Sequence, residues 1–513
     1  MASPYGIQLA VHIISAFYGD LCSKVCECLI RRGTQSLAQI IRFTDLNREN
    51  AINCLRVLIH QNCVQAFTIQ QDAVFGEPPR MVTQYMALFD NVIHKLRAPK
   101  FYEIVSEELG KDCLVIFQGL VQHGRLSVND MIAGYADIEG SSENVGRESF
   151  TKLVNARFVE HCPAPDPHLE PPVVDEKGKK KKTQVEEPPL DQRVLAAAAP
   201  MESMRFFLEM DDHSEEKGNE TTTSVRSGQK RKQDEGELDA DKKKEVLWRV
   251  NVEEFLRRLR HKACIAHVKS KINEEAAIVL SAMLELSKQS ESGLKAEKSE
   301  YLSINAIYDE VIKKEGGLGM DFERVRSLLD QLGCETLSTG MDESYCIDIK
   351  EIIELSQNEE VESLVMRRYG PEAYRIYRLL SKAGRLMETE KISDSTFVEK
   401  KATIAILYKL WKDDFLQMEH VKTSTAKQSD FRLWTINKEQ LQKQVLNEMY
   451  HAALNLKLRI AHEKDQAKEV IKLPKDKLVG ESNTKYVRWA NVTRILESCL
   501  MDLDDAIMLF HHF

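Results

Sequence analysis

This chain has no long apolar run. Nothing in its 513 residues approaches the roughly 18–20 consecutive apolar positions that a membrane-crossing helix needs. Its start, Met1 to Asp20, is interrupted by Gln8, His12 and Asp20 and lacks the charged-then-apolar layout of a secretory leader. Paired cysteines are missing too: the eleven form an odd set with no C-x-x-C, which argues for a reducing compartment and against a disulfide framework. A positive balance is also absent. The net charge is −9, whereas a chain that lives on a phosphate backbone is usually basic, so any DNA affinity must be local and partner-assisted. No nucleophile elbow, His-Glu-x-x-His pattern or Cys/His pairing occurs. Together these absences predict a soluble intracellular protein with no membrane association and no active site, metal or cofactor of its own.

What is present is repetition, and missing it would mis-assign the whole fold. The stretch Leu120-Val121-Gln122-His123-Gly124-Arg125-Leu126-Ser127-Val128 recurs as Leu29-Ile30-Arg31-Arg32-Gly33-Thr34-Gln35-Ser36-Leu37 and as Leu379-Leu380-Ser381-Lys382-Ala383-Gly384-Arg385-Leu386-Met387. Each is an apolar helix end, a turn with Gly where a left-handed cap is wanted, and a short strand-like step. A second phrase follows each, in which a helix end runs into a strand: 58–64, 153–159 and 410–416. Helix, strand, helix, helix, strand is the order of a winged-helix unit.

The expected fold is therefore mainly α with small β wings, in tandem winged-helix units. Residues 1–98 hold the first, with Ile7, Val11, Ile14 and Phe17 on its opening helix, Asp45 or Asn47 capping its third, and a Pro78-Pro79 wing. The second is 99–162. Eight of the fourteen prolines then fall between Pro163 and Pro200, and residues 163–245 read as a disordered, charged linker. Within it, Met204, Phe206, Phe207 and Leu208 suggest a short docking segment. The third unit, 246–366, is the most divergent; the fourth is 367–436. Residues 437–513 read as an antiparallel helical hairpin or coiled coil with an a/d seam, Leu441, Val445, Met449 and Leu456 against Leu496, Leu500, Leu503, Ile507 and Phe510.

Gly316-Gly317-x-Gly319 lacks the strand before it and the Lys-Ser/Thr after it that phosphate binding needs, and reads as a turn between helices. Cys22, Cys26 and Cys28 read as core, Asp502, Asp504 and Asp505 as a solvated helix face, and His511 and His512 as terminal residues without partners. Nucleic acid is the remaining chemistry. Lys400, Lys401, Lys409 and Lys412 on the fourth unit's third helix, with Arg324 and Arg326 on the third unit's, suit weak phosphate contact, diluted by Glu399, Asp413, Asp321, Glu323 and Asp330. Lys179, Lys180, Lys181, Lys182, Lys230, Arg231 and Lys232 read either as nuclear-import signals or as solvated linker.

With these residues assembled, the chain resembles the third-largest subunit of RNA polymerase III, a family related to the alpha subunit of general transcription factor IIE. Phe17-Tyr18-Gly19-Asp20 leading into the first recurrent phrase carries the resemblance, as does Arg368-Tyr369-Gly370 through Tyr374-Arg375-Ile376-Tyr377-Arg378-Leu379-Leu380. The ordered set of four units covers about 1–162 and 246–513; a plant member is expected. The resemblance implies a nuclear, non-catalytic subunit. It would sit in a peripheral trimer with two smaller subunits by the clamp of the largest subunit, aid initiation-factor recruitment and promoter opening, and contact DNA weakly and without sequence specificity. The 441–456 stripe and the 496–510 seam are the expected docking surface. Two other readings stand beside it: a winged-helix scaffold of a lid-type complex, and an enzyme whose site is not recognised.

Overall fold

The protein is seen in a computed structural model that describes residues 3–71, 80–139, 143–169, 188–208, 246–288, 296–339, 342–422, 430–474 and 478–513. The Pro78-Pro79 wing and the lysine clusters at 179–182 and 230–232 lie outside the described residues. The chain is mainly helical, with four small sheets, and it divides into two compact units: Met1–Arg31 with Val92–Arg97 and Val252–Phe513, and Arg32–Asn91 with Ala98–Asn251.

In the unit built from Arg32–Asn91 and Ala98–Asn251, the step Gln35–Ser36 leads into a helix, Leu37–Thr44. Its first turn is closed by a capping box in which the Ser36 backbone N–H donates to Gln39 Oε1 at 2.8 Å. Asp45 then takes a left-handed conformation as C-cap, and Asn47 accepts from the Asn50 N–H at 2.8 Å. Of the two candidate caps for Arg48–His60, Asn47 is the one used. A hairpin, Val64–Gln71 with Arg80–Ala87, completes the first winged sheet.

Gly124, in the recurrent phrase, shows why that phrase needs glycine. Its φ is +90°, which disfavours any side chain, and its N–H closes the helix Lys111–His123 on Leu120 O at 2.8 Å. A Cβ there would also lie 2.5 Å from the His60 carbonyl oxygen. That closeness lets the first and second winged units latch. Gln61 Nε2 donates to the carbonyls of Gln122 and His123 at 3.0 Å each, and Arg125 Nε donates to Asn62 Oδ1 at 2.9 Å.

Two expectations are corrected in this unit. The second winged sheet does not end at residue 162. Its central strand is Leu247–Val250, which runs between Leu126–Ser127 and Val159–His161. The reason is the core: Trp248 is buried edge-on to Phe150, 5.1 Å between ring centroids, and fills the space a third strand must fill. Residues 163–245 are thus an insertion into the wing hairpin, and they are not wholly without structure. His168–Leu169 adds a parallel strand to Val64–Gln71, and Leu190–Ala198 is a helix whose Val194 packs with Leu169, Phe67 and Met86. Further on, Arg205 Nε donates to Glu160 at 2.6 Å, with the Phe206 ring beside the Arg157 and Arg205 guanidiniums. Of the suggested docking segment, Phe206 is therefore already seated within this unit, while Met204 and Phe207 stay exposed.

The other unit holds the third and fourth winged sheets, Leu302–Ser303 with Glu335–Thr339 and Asp342–Cys346, and Met387–Glu388 with Gln417–Lys422 and Asp430–Thr435. The helix Ile349–Tyr369 joins them and stops at Gly370, φ +90°, before Pro371 opens the next helix. The tail is more than a hairpin. Pro4–Tyr18, expected to open the first winged unit, lies against Lys438–Gln466, with Tyr5 stacked on His451 at 4.1 Å and its N–H on Asn447 Oδ1 at 3.2 Å. Buried Leu9, Ala10, Ile13 and Ile14 make this its packing face. The last helix, Glu481–His511, runs back along Lys438–Gln466.

In the acidic cluster on that last helix Asp502 and Asp505 are exposed, as a solvated face requires, and Asp504 is the correction. Asp504 is 1% exposed and pairs with Arg97, 0% exposed, whose Nε donates to both carboxylate oxygens at 3.0 and 3.2 Å. His511 Nδ1 lies 2.8 Å from Tyr450 Oη, and the His512 ring is tilted against that of His94, so neither histidine lacks a partner.

Two tests follow from this packing. Gly124→Ala should destabilise the protein by about 2 kcal/mol or more, while Gly134→Ala, exposed on a helix with open space around it, should stabilise it by roughly 0.5–1 kcal/mol; urea midpoints read both. Asp504→Asn should cost about 3–5 kcal/mol by leaving a buried guanidinium unpaired, and Arg97→Met combined with Asp504→Leu should recover much of that loss.

Candidate nucleic-acid and partner interfaces

The helix Lys400–Lys412 starts after Phe397, a residue held at φ 54° as the C-cap of the preceding helix. Its inner face buries Thr403, Leu407 and Leu410, which turns the intervening positions outward. The four lysines do not behave alike. Lys400 Nζ is 2.5 Å from Glu390, and Lys409 lies 5.3 Å from the centre of the Tyr369 ring. Lys401 and Lys412 are exposed and have no ion-pair partner among the described residues. The diluting acids also differ from those read off the sequence. Asp413 accepts from Tyr369 Oη at 2.5 Å, and burial together with that bond pushes the phenol up to about 12.

On the third unit the two arginines are already engaged. Arg324 reaches Glu275 at 2.6 Å and Arg326 reaches Glu343 at 2.5 Å. Exposed pairs of this kind contribute little to stability, but each places a negative charge where a phosphate would have to come. Arg324 and Arg326 are therefore poor phosphate contacts, and Lys401 with Lys412 are what remains. Neither Glu275 nor Glu343 is near its arginine in sequence, so helix-face reasoning did not find them.

Sequence reasoning also missed an apolar stripe. Phe397, just before this helix, is 91% exposed, and Ile404 and Trp411 lie two turns apart on the helix's exposed side. Tyr408, between them, has the Arg432 guanidinium 5.4 Å from its ring centre. The tail seam behaves in the opposite way. Leu441, Val445, Leu500 and Ile507 are buried, Met449 and Phe510 pack against the fourth unit's core, and Leu456, Leu496 and Leu503 are half-buried. Much of the seam is thus taken up by the chain's own packing. The apolar side chains that the last helix does present are Val487 and Ile495, the latter 63% exposed.

Gly317 packs where a Cβ would sit 1.9 Å from the Val311 carbonyl oxygen, as a tight turn after the helix Ile304–Lys313 requires. Cys22, Cys26 and Cys28 are buried. Among the described residues no group of side chains is arranged to hold a metal ion, and no helix is long and apolar enough to cross a membrane.

If phosphate contact rests on the two unpaired lysines, Lys401→Gln with Lys412→Gln should weaken binding to a non-specific DNA oligonucleotide. The double variant should also reduce the slope of log K against log salt by about 2, while Arg324→Gln leaves the slope where it was.

Comparison with known proteins aligns with this geometry. Three family models match in chain order: RNA polymerase III subunit RPC82 helix-turn-helix domain over residues 8–68, RNA polymerase III subunit RPC82 over 148–356, and POLR3C, C-terminal winged-helix domain over 361–436. The chain is similar to DNA-directed RNA polymerase III subunit RPC3 of Rattus norvegicus, at 21% identity over 489 residues, covering 91% of this chain and 85% of the relative. With rpc3 of Dictyostelium discoideum it shares 21% identity over 674 residues, 99% of this chain and 100% of the relative. A fungal relative, rpc3 of Botryotinia fuckeliana, is 28% identical over 131 residues, 26% of this chain and 18% of its own.

Proposed function

The chain belongs to the RNA polymerase III subunit RPC82/RPC3 family, and from that premise we propose that it is a non-catalytic structural subunit of the nuclear enzyme. In this reading it forms a peripheral trimer with two smaller subunits beside the clamp of the largest subunit. There it supports initiation-factor recruitment and the opening of promoter DNA at genes for small non-coding RNAs.

The observation that carries the proposal is the kind of surface the winged units present. A winged helix that reads DNA puts cations and hydrogen-bonding side chains on its third helix. The fourth unit's third helix instead exposes Ile404 and Trp411, with Phe397 just before it, and two of its four lysines are already held by Glu390 and Tyr369. Aromatic and aliphatic groups set among a few charges are the composition of a protein interface core. DNA then plays a secondary part, through Lys401 and Lys412, once the subunit is docked. The comparisons favour a polymerase over a lid-type scaffold.

Deleting residues 437–513 is a poor test, because it strips helices from the fourth unit's core and from Pro4–Tyr18. The sharper variant is Val487→Asp with Ile495→Asp, which changes only exposed positions. Tagged wild-type protein should co-purify from nuclear extract with stoichiometric polymerase III subunits. The double variant should lose at least part of that set while keeping its melting temperature. Recovery of a lid-type complex in place of the polymerase would refute the proposal.

A further inference from the structure

Arg125 is a buried cation without a counter-charge among the described residues. It is 6% exposed, and its one hydrogen bond among the described residues, from Nε to Asn62 Oδ1, is to a neutral amide. No described carboxylate lies within ion-pair distance of it.

The sheet register makes its position worse. Leu126 pairs with Trp248 and Ser127 with Leu247, so Arg125 stands one step on, in line with Arg249. Arg249 is in turn directly opposite Glu160. A row therefore crosses the sheet as Arg125, Arg249, Glu160, and facing residues in antiparallel strands share a side. Glu160 cannot serve Arg125. One of its oxygens takes Arg249 at 2.8 Å and the other takes Arg205 at 2.6 Å.

The remaining neighbours supply no negative charge. Burial pushes the Cys162 thiol up to about 11, so it stays neutral at cellular pH. His60 is lowered by burial first and then by Arg125 and His123, so it remains neutral beside the guanidinium. The Arg125 Nη groups have no protein partner among the described residues and are not among the side-chain atoms sealed from solvent, so water or an anion satisfies them.

We propose that Arg125 and Arg249, with His60 and His123 beside them, form a binding site for a small phosphate-class oxyanion at the latch between the first and second winged units. Arg125 keeps both Nη groups for the ligand, and a guanidinium fork matches two oxygens of a phosphate. Its burial admits a small ion and keeps out a duplex backbone. Because the site touches Asn62 on one winged unit and the Gly124 turn on the other, occupancy would tighten the latch.

The test uses the full chain and inorganic phosphate, exchanged for chloride at constant pH and ionic strength. Phosphate should raise the melting temperature saturably, by about 2–4 °C, and the ³¹P line should broaden. Arg125→Met should melt at or above the wild-type temperature in chloride and lose both responses. Arg125→Lys, which keeps the charge but not the fork, should respond more weakly; it also serves as the readout should the methionine variant not fold. Lys412→Gln should respond like wild type. An equal phosphate response in wild type and the Arg125 variants would overturn the site. An equal response to acetate would overturn the phosphate class. Displacement of phosphate by single-stranded DNA in an Arg125-dependent manner would reassign the site to a nucleic-acid backbone and also overturn the proposal.

Discussion

A guanidinium sealed from solvent fixes how one half of this molecule is assembled. Arg97 ends the short stretch Val92–Arg97; its Nε donates to Asp504 on the last helix, and its Nη1 lies 2.9 Å from His94 Nδ1. Arginine only donates, so His94 must accept at Nδ1 and carry its proton on Nε2. The His94 ring then meets His512, tilted, which in turn meets His511, also tilted, and His511 meets Tyr450 of the helix Lys438–Gln466. One buried charge thus holds three segments far apart in sequence in a single arrangement. Any other registration would leave the guanidinium or the carboxylate alone in a low-dielectric interior. A buried pair is weak evidence for stability, because apolar side chains of the same volume often do as well. Its effect is to penalise alternatives, which suits a chain whose repeated units would otherwise offer several similar ways to pack.

The wing insertion follows a different logic. A hairpin loop of ~80 residues costs only a little more closure entropy than a short one, since each doubling adds about 0.6 kcal/mol. Lengthening a wing from ~10 residues therefore costs roughly 2 kcal/mol. Burial of Leu169, Val194 and Ala198 offsets that, at about 1.5–3 kcal/mol for a fully buried Val or Leu side chain. The strap also uses polar groups that would otherwise be exposed at a sheet edge. Thr68 N–H donates to Pro167 O at 3.0 Å, and Gln65 Nε2 donates to Ala164 O at 2.9 Å. The described parts of the insertion are thus the parts that recover its cost, and they do so on the winged unit that precedes it in the chain.

These facts also show what was legible in the sequence. The repeated phrase was, because a helix end, a left-handed glycine and a strand step are all local, and Gly124 and Gly384 both sit at the ends of their helices with positive φ. The Asn47 cap was visible for the same reason. The strand Leu247–Val250 was not, since nothing near it announces a partner strand ~80 residues back; only the need to bury Trp248 explains it. Asp504 read as solvated because its partner is 407 positions away. The seam was legible as apolar, and how much of it the chain itself covers was not: periodicity marks which side chains are buried, and it cannot say whether the burying surface belongs to the same chain. Within the candidate interface, the lysines were visible but the pairing of Lys400 with Glu390 was not, and the exposed Phe397 carried no local pattern to single it out.

The charge distribution explains why such a chain acts as a subunit. Its acidic balance of −9 opposes free association with DNA, and the arginines of its third unit are tied to Glu275 and Glu343. Two free lysines on one helix give too few phosphate contacts to hold a duplex at physiological salt, where each contact is weakened by counterion competition. The same two lysines on a surface already placed beside DNA act at high effective concentration, where a weak contact is enough to bias the path of the strand. In the proposed reading docking comes first, and the exposed apolar side chains suited to it include Phe397, Ile404 and Trp411 on the fourth unit and Val487 and Ile495 on the last helix. Such docking would keep the winged-helix shape while turning its reading surface toward protein.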